Sequence, residues 1–218
     1  MDFSWPIFLD SLPSLARGAL ITALLTIVSL AFALLIGIGC ALLRATGIRP
    51  LVWAVTFWTT LIRGLPMLVI LLFLYYGLPS LGILLDSITV AITAMAITTG
   101  AFVTEIVRAG IESIDRGQMR AAKSLGMSWI SAMRYIVLPQ ALRRVLPPLT
   151  NEAITLPKNT ALVSVIAIPD LLRAGTDIMT WKANTFSPFA GVALFYLCMT
   201  LPLVALNAHL EKQYGGGS

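Results

Sequence analysis

The chain alternates long apolar runs with short polar clusters, and the runs are too long for a water-soluble core. No charged residue occurs between Arg17 and Arg44, and none between Arg63 and Asp86. At ~1.5 Å of rise per residue, about twenty apolar residues cross a ~30 Å hydrocarbon layer. Five stretches meet this test, at about residues 19–43, 51–76, 88–107, 141–166 and 188–210, with Arg63 inside the second. The pattern predicts an all-α polytopic membrane protein with five transmembrane helices. Ahead of the first span, Trp5, Pro6 and Pro13 mix with Asp2 and Asp10. That mixture predicts an interfacial approach with Trp5 at headgroup level. The first span is too long for the apolar core of a signal peptide, and no cleavage site follows it.

Composition agrees. Of 218 residues, 58% are hydrophobic and 11% charged, against roughly a quarter charged in a soluble domain. The net charge of +5 does not imply nucleic acid, because the basic residues sit between apolar runs, where membrane orientation accounts for them. Cys40 and Cys198 lie in apolar runs and read as small core residues. His209 is the single histidine, and no His/Cys/Asp cluster has metal-ligand spacing. Residues 215–218, Gly-Gly-Gly-Ser, read as an appended flexible linker. Residues 1–214 are left as one transmembrane domain.

Arginine and lysine placement orients it. Arg44 and Arg49 fall in the first loop, and Arg116, Arg120, Lys123, Arg134, Arg143 and Arg144 between the third and fourth spans. Residues 78–87 carry no basic residue, and the segment after residue 166 mixes Asp170 and Asp177 with Arg173 and Lys182. Basic loops stay in the cytoplasm. The expectation is an N-terminus outside, a 113–144 loop inside and a C-terminus inside.

That loop has helical spacing of its own. Met119, Ala122, Leu125, Trp129 and Met133 recur on one face, and Arg120, Lys123, Met127 and Arg134 on another. Gly126 interrupts the first stretch and Pro139 is expected to end the second. Two readings follow. The loop is an amphipathic helix on the anionic inner leaflet, or a docking helix whose small Ala121, Ala122 and Gly126 let another protein's groove close around it. Periodicity leaves both open.

The loop also contains Gly117-Gln118-Met119-Arg120-Ala121-Ala122-Lys123-Ser124-Leu125-Gly126, then nine residues, then Ile136-Val137-Leu138-Pro139-Gln140-Ala141. This resembles the EAA loop of ABC importer permeases. Further motifs are similar to the polar amino acid permeases of the histidine/glutamine type. They are Gly18-x-x-x-Thr22, Arg63-Gly64-Leu65-Pro66 and Glu105-Ile106-Val107-Arg108-Ala109-Gly110-Ile111, followed by Leu146 to Glu152 and Lys158-Asn159-Thr160-Ala161-Leu162. Arg120 stands where that family usually has Glu, Leu65 where it has Thr before the proline, Ala161 where it has Ser, and Pro157 where it has an aliphatic residue.

The resemblance implies a type I importer permease fold in a bacterial inner membrane. It implies two permease subunits, identical or similar, two cytoplasmic ATP-binding subunits and an external solute-binding protein that delivers an amino acid. Gln118, Arg120, Ala121, Ala122, Lys123, Gly126 and Pro139 would form the coupling contact with the ATPase. The chain lacks the glycine-rich pattern ending in Gly-Lys-Ser/Thr, so ATP and magnesium would be held on the partner ATPase, with no cofactor on this chain.

Physical reasoning supplies a candidate pathway. An amino acid cannot shed both charges into hydrocarbon, and intramembrane ionisable groups are costly and functional by default. The fourth span places Asn151, Thr155 and Lys158 at i, i+4, i+7, and Glu152, Thr155 and Asn159 at i, i+3, i+7, with Thr160 next in line. Pro147, Pro148 and Pro157 free carbonyls of the preceding turn and predict a broken helix of the kind transporters use. Glu152 would suit the substrate ammonium, and Lys158 or Arg63 its carboxylate. Structural alternatives stand beside these: a Glu152–Lys158 pair, an Arg63 that snorkels, and an intrahelical Glu105–Arg108 pair as gating or structural residues. Phe73, Tyr75 and Tyr76 read as an interfacial belt. An amino-acid-derived solute such as an opine, cystine or another amine is an alternative cargo. An intramembrane enzyme or a passive channel is the alternative class, without a recognisable nucleophile–base pair.

Overall fold

The structure is a computed structural model describing residues 3–214, so residues 215–218 lie outside it. Among the described residues it is helical throughout, with no strand. The helices are α1 (Trp5–Ala45), α2 (Arg49–Arg63), α3 (Met67–Leu72), α4 (Leu78–Ser80), α5 (Ser87–Glu112), α6 (Arg116–Ser124), α7 (Trp129–Ala132), α8 (Leu138–Asn159), α9 (Leu171–Lys182) and α10 (Phe186–Tyr214). A π-helical turn joins α3 to α4, another joins α7 to α8, and a 3-10 segment, Thr160–Ile166, follows α8.

Three helices, α1, α5 and α10, are long and apolar enough to cross a membrane. Taken together, α2 and Met67–Ser80 are also long and apolar enough, but they are separated by a break. The predicted span over 51–76 is therefore not one straight helix. Gly64 ends α2, and the residue before a proline is driven out of the α region, so Leu65-Pro66 turns the chain before α3 starts. The predicted span over 141–166 falls on α8 and the 3-10 segment, whose polar and charged side chains leave it less apolar than α1, α5 and α10. The first helix begins at Trp5, so the expected interfacial approach is the opening of α1 itself, with Pro13 accommodated inside it.

Both π-helical turns have one cause. Pro79 lacks an N–H and would crowd the carbonyl of Tyr75, four residues back, and Pro139 would crowd that of Tyr135. The π turns Phe73–Gly77 and Met133–Val137 contain those carbonyls. Widening the helix there removes the clash. Pro139 consequently does not end its helix, as the sequence suggested: the chain runs on into α8, and Gln140 Nε2 donates to the carbonyl of Ile136 at 2.8 Å.

Contacts divide the chain into two compact units. The first comprises Met1–Phe32, Leu65–Ala96 and Ala153–Val204. Its core packs Leu15, Ala19, Leu171 and Val192 together, with Ala174, Ile178, Phe189 and Phe195 against them. Gly18 permits this packing, because a Cβ there would stand 2.8 Å from the Asp170 carbonyl oxygen and 2.9 Å from Leu171 Cα. The N-terminus of α9 is capped by Asp170, whose carboxylate accepts from Arg173 N–H at 3.0 Å and Leu172 N–H at 3.3 Å, while Ser164 Oγ donates to it at 2.5 Å. In the loop before α5, Asp86 accepts from Thr89 Oγ1 and from its N–H, which hold the carboxyl below its usual range.

The second unit comprises Ala33–Gly64, Ile97–Glu152 and the described part of Ala205–Ser218. Here α1 and α5 approach through small residues. Ala41, Val103 and Val107 are buried together, and a Cβ at Gly100 would meet Ile36 Cγ2 at 3.2 Å. Without a hydrophobic force between helices in lipid, such close backbone packing supplies dispersion contact. A further cluster, Ile114, Met133, Val137 and Ala141, gathers Met119 and Trp129 around it and holds α6 and α7 against the ends of α5 and α8.

Candidate translocation and coupling sites

The polar face of α8 is present, but α8 is not broken. It runs as an α-helix through Pro147, Pro148 and Pro157 to Asn159, and only then tightens into the 3-10 segment. Asn151, Thr155 and Lys158 are exposed, and Glu152 and Asn159 are half-buried. Asn151 Oδ1 accepts from Asn207 Nδ2 at 3.3 Å, and that amide also donates to Glu211 at 2.8 Å. Neither Glu152 nor Lys158 makes a hydrogen bond or ion pair among the described residues. Six positions along a regular helix put the two on different faces, so the mutual pair considered from sequence does not form. Thr160 departs from expectation: it is fully buried, and its hydroxyl donates to the Pro157 carbonyl at 2.7 Å. It closes the end of α8 and lines nothing open. Arg63 is exposed at the end of α2, with its guanidinium carbon 5.3 Å from the Phe102 ring centroid.

Glu105 and Arg108 belong to a larger network than the expected intrahelical pair. Glu105 Oε1 accepts from Arg44 at 2.5 Å and from Thr59 Oγ1 at 3.3 Å, and Oε2 accepts from Arg108 Nε at 2.8 Å. Arg108 also reaches Glu112. One carboxylate thus ties α1, α2 and α5 together. Sequence reasoning missed Arg44 and Thr59, although Arg44 closing a charge-free run was a usable signal.

The 113–144 segment forms two short helices around a sharp turn. Asp115 caps α6 by accepting from Gly117 N–H. At the other end Gly126 has φ +78°, Gly126 N–H donates to Lys123 O at 3.0 Å, and Met127 N–H to Ala122 O at 3.1 Å. This is the Schellman arrangement, which uses the left-handed region open to glycine. A Cβ on Gly126 would meet nothing within 4 Å, so inside this chain the constraint is backbone conformation and not space. Ser128 then caps α7, accepting from Ser131 N–H at 3.2 Å.

The faces of this hairpin differ from the sequence reading at two positions. Gln118, Arg120, Ala121, Lys123 and Gly126 are exposed, as is Pro139 in α8. Ala122 is buried, 1% exposed, against its own chain and cannot line a docking face. Leu125, grouped with Met119 and Trp129 by helical spacing, is 82% exposed, because α6 stops at Ser124 and the Gly126 turn carries Leu125 outward. With Ile130, 71% exposed, it gives the tip an apolar surface flanked by Arg120 and Lys123.

Apolar helices long enough to cross a membrane, the polar face of α8 and the capped α6–α7 hairpin are the features that a comparison with known proteins has to explain. Residues 33–215 match the family described as binding-protein-dependent transport system inner membrane component, and the chain belongs to it. It is a multi-pass inner-membrane permease component. The chain is 37% identical over 212 residues to the probable glutamine ABC transporter permease protein GlnM of Bacillus subtilis, covering 95% of this chain and 98% of that one. It is 34% identical to the glutamine transport system permease protein GlnP of Escherichia coli K12, covering 98% of each. Among solved structures, it superposes with a TM-score of 0.90 on a chain of a crystal structure of an amino acid ABC transporter with histidines. That match has 36% identity over 98% of this chain and 100% of the other.

Proposed function

We propose that this chain is the permease subunit of an ATP-driven importer of polar amino acids, forming the translocation pathway by alternating access. It pairs with a second permease subunit. Two separate ATPase subunits hold ATP and magnesium and dock on the α6–α7 hairpin, and an external binding protein delivers the solute. The N-terminus faces outside and the hairpin and C-terminus face the cytoplasm, in keeping with the basic residues of that segment. Residues 1–214 act as one transmembrane domain.

The observation that carries this reading is the hairpin tip. A left-handed Gly126, exposed Leu125 and Ile130, and the flanking basic residues present a partly apolar knob anchored on Met119, Trp129 and Met133. Such a knob suits transmission of force from a partner. In the pathway, the exposed Asn151, Thr155 and Lys158 and Glu152, which has no partner among the described residues, offer groups of both signs for a zwitterion, whether an amino acid or an amine derived from one. Substrate-stimulated ATP hydrolysis by reconstituted complexes tests the reading. Gly126→Asp is expected to leave the membrane domain inserted and to abolish ATPase pull-down and stimulation. Wild-type coupling in that complex would overturn the docking assignment.

A further inference from the structure

Within the first unit, the N-terminal part of α1 and the helix α9 border a cavity of about 550 Å³, within the ~300–1,000 Å³ range of small-molecule sites. Ile7, Ile21 and Ile178 supply apolar wall, and Arg17 brings a guanidinium. The other charged residues of the lining already have partners. Lys182 Nζ lies 3.8 Å from Asp10 Oδ2, and Asp177 Oδ1 lies 3.0 Å from Arg173 Nε. Arg17 alone of the charged lining makes no hydrogen bond or ion pair among the described residues. The cavity therefore carries one uncompensated positive charge beside apolar surface.

Its position indicates the matching anion. Arg17 and Arg44 bracket the charge-free part of α1, roughly 39 Å of helix, enough to cross a ~30 Å hydrocarbon core. Arg17 therefore stands at the level of lipid phosphates, and Ile21 lies one turn deeper. Around the same end, Trp181 is 88% and Trp5 66% exposed, and Phe3 packs edge-on against both Trp5 and Phe186. Exposed aromatics of this kind mark the membrane–water interface. A guanidinium at that depth matches a phosphate in both charge and fork geometry.

We infer that this cavity is a phospholipid site, with the lipid phosphate on Arg17 and the upper acyl chain along Ile21 and Ile178. In the orientation proposed above, the lipid belongs to the outer leaflet. The inference requires the chain to be membrane-embedded and is independent of what it transports.

The test uses the full chain reconstituted in vesicles of phosphatidylethanolamine and phosphatidylglycerol, then extracted in neutral detergent. Retained phospholipid is counted by native mass spectrometry, and uptake is assayed separately. Wild type and Arg17→Lys are expected to retain a phospholipid that Arg17→Gln holds about tenfold less well, as loss of a charge-assisted contact implies. Ile178→Trp, which fills the apolar wall, is expected to expel it as well, and it decides the question if Arg17→Gln does not fold. Equal retention in all four proteins overturns the site. Displacement of the lipid by millimolar inorganic phosphate alone would overturn it in favour of a free-phosphate site. Unchanged retention with loss of binding-protein stimulation in Arg17→Gln would overturn it in favour of a protein-docking face.

Discussion

The hydroxyl oxygen of Thr22, in the middle of the first helix, accepts the backbone N–H of Leu171 at 3.2 Å, although the two residues are 149 positions apart. Thr22 and Leu171 are both fully buried. The N-terminus of a helix has donors that find no partner within it. Here one of them is met by a side chain of α1, while Asp170 takes the next two. Gly18, one turn before Thr22, lets the backbones approach closely enough for that bond to form. The Gly18-x-x-x-Thr22 motif is thus the seat of α9.

Gly18→Ala is expected to destabilise the protein by about 1–3 kcal/mol, because the atoms its Cβ would strike are backbone and cannot rotate away. Thr22→Val keeps the shape but leaves the Leu171 N–H without its acceptor, at a cost of about 1–3 kcal/mol. Unfolding of the purified variants in mixed micelles measures both. A double variant whose loss equals the simple sum would show that the two residues act independently and would contradict a shared seat.

The Glu105 network predicts a contrast between two carboxylates. Glu105 and Arg44 have side chains only 17% exposed, so Glu105→Gln, which weakens contacts to Arg44, Arg108 and Thr59 together, is expected to cost about 2–3 kcal/mol. Glu112, with its side chain 62% exposed, is expected to cost below about 1 kcal/mol on conversion to Gln. Coupling between Arg44→Gln and Glu105→Gln in a double-mutant cycle checks that the pair itself carries the difference. Equal losses for the two carboxylate variants would refute the network.

At Gly126 the prediction separates strain from bulk. Asn tolerates the left-handed region and Val does not. Gly126→Asn should therefore keep the hairpin, and Gly126→Val should lose about 1–2 kcal/mol of local stability. Hydrogen exchange of the Met127 N–H, which bonds to Ala122 O, reads this directly. If Gly126→Asn retains the turn yet fails to bind the ATPase, close approach of the partner is the second demand on this position.

Orientation is tested with single cysteines introduced in a protein from which Cys40 and Cys198 have been removed. A cysteine at Ser87, at the start of α5, is expected to react with an impermeant thiol reagent in intact cells. One at Ser128, exposed in the hairpin, should react only after permeabilisation. The reverse pattern would invert the proposed topology, and equal labelling would dismiss it.

For the pathway, Glu152→Gln and Lys158→Met are each expected to impair uptake while abundance and assembly stay unchanged. Losing a charge-assisted hydrogen bond to the substrate corresponds to roughly 1.5–3 kcal/mol. Because neither side chain has a partner among the described residues, a fall in abundance would point to a contact with another subunit. Normal uptake by both would remove α8 from the pathway.

The sequence by itself determined whatever depends on neighbours along the chain. Charge-free runs marked α1, α5 and α10, basic residues marked the 113–144 segment, and Gly126 marked its turn, because helix period, hydrophobicity and positive-φ tolerance are local properties. The same locality explains the errors. Leu125 shares helical spacing with Met119, but the helix ends before it, and Pro139 reads as a terminator although a π turn absorbs it. Only the tertiary structure decided which polar groups meet. Arg44 and Thr59 reach Glu105, Leu171 reaches Thr22, Thr160 is sealed at the end of α8, and Ala122 turns inward. Each of these depends on which helices lie side by side and at what rotation. A rotation of 100° per residue lets one sequence pattern face a neighbouring helix, a cavity or lipid with equal regularity, and packing alone chooses among them.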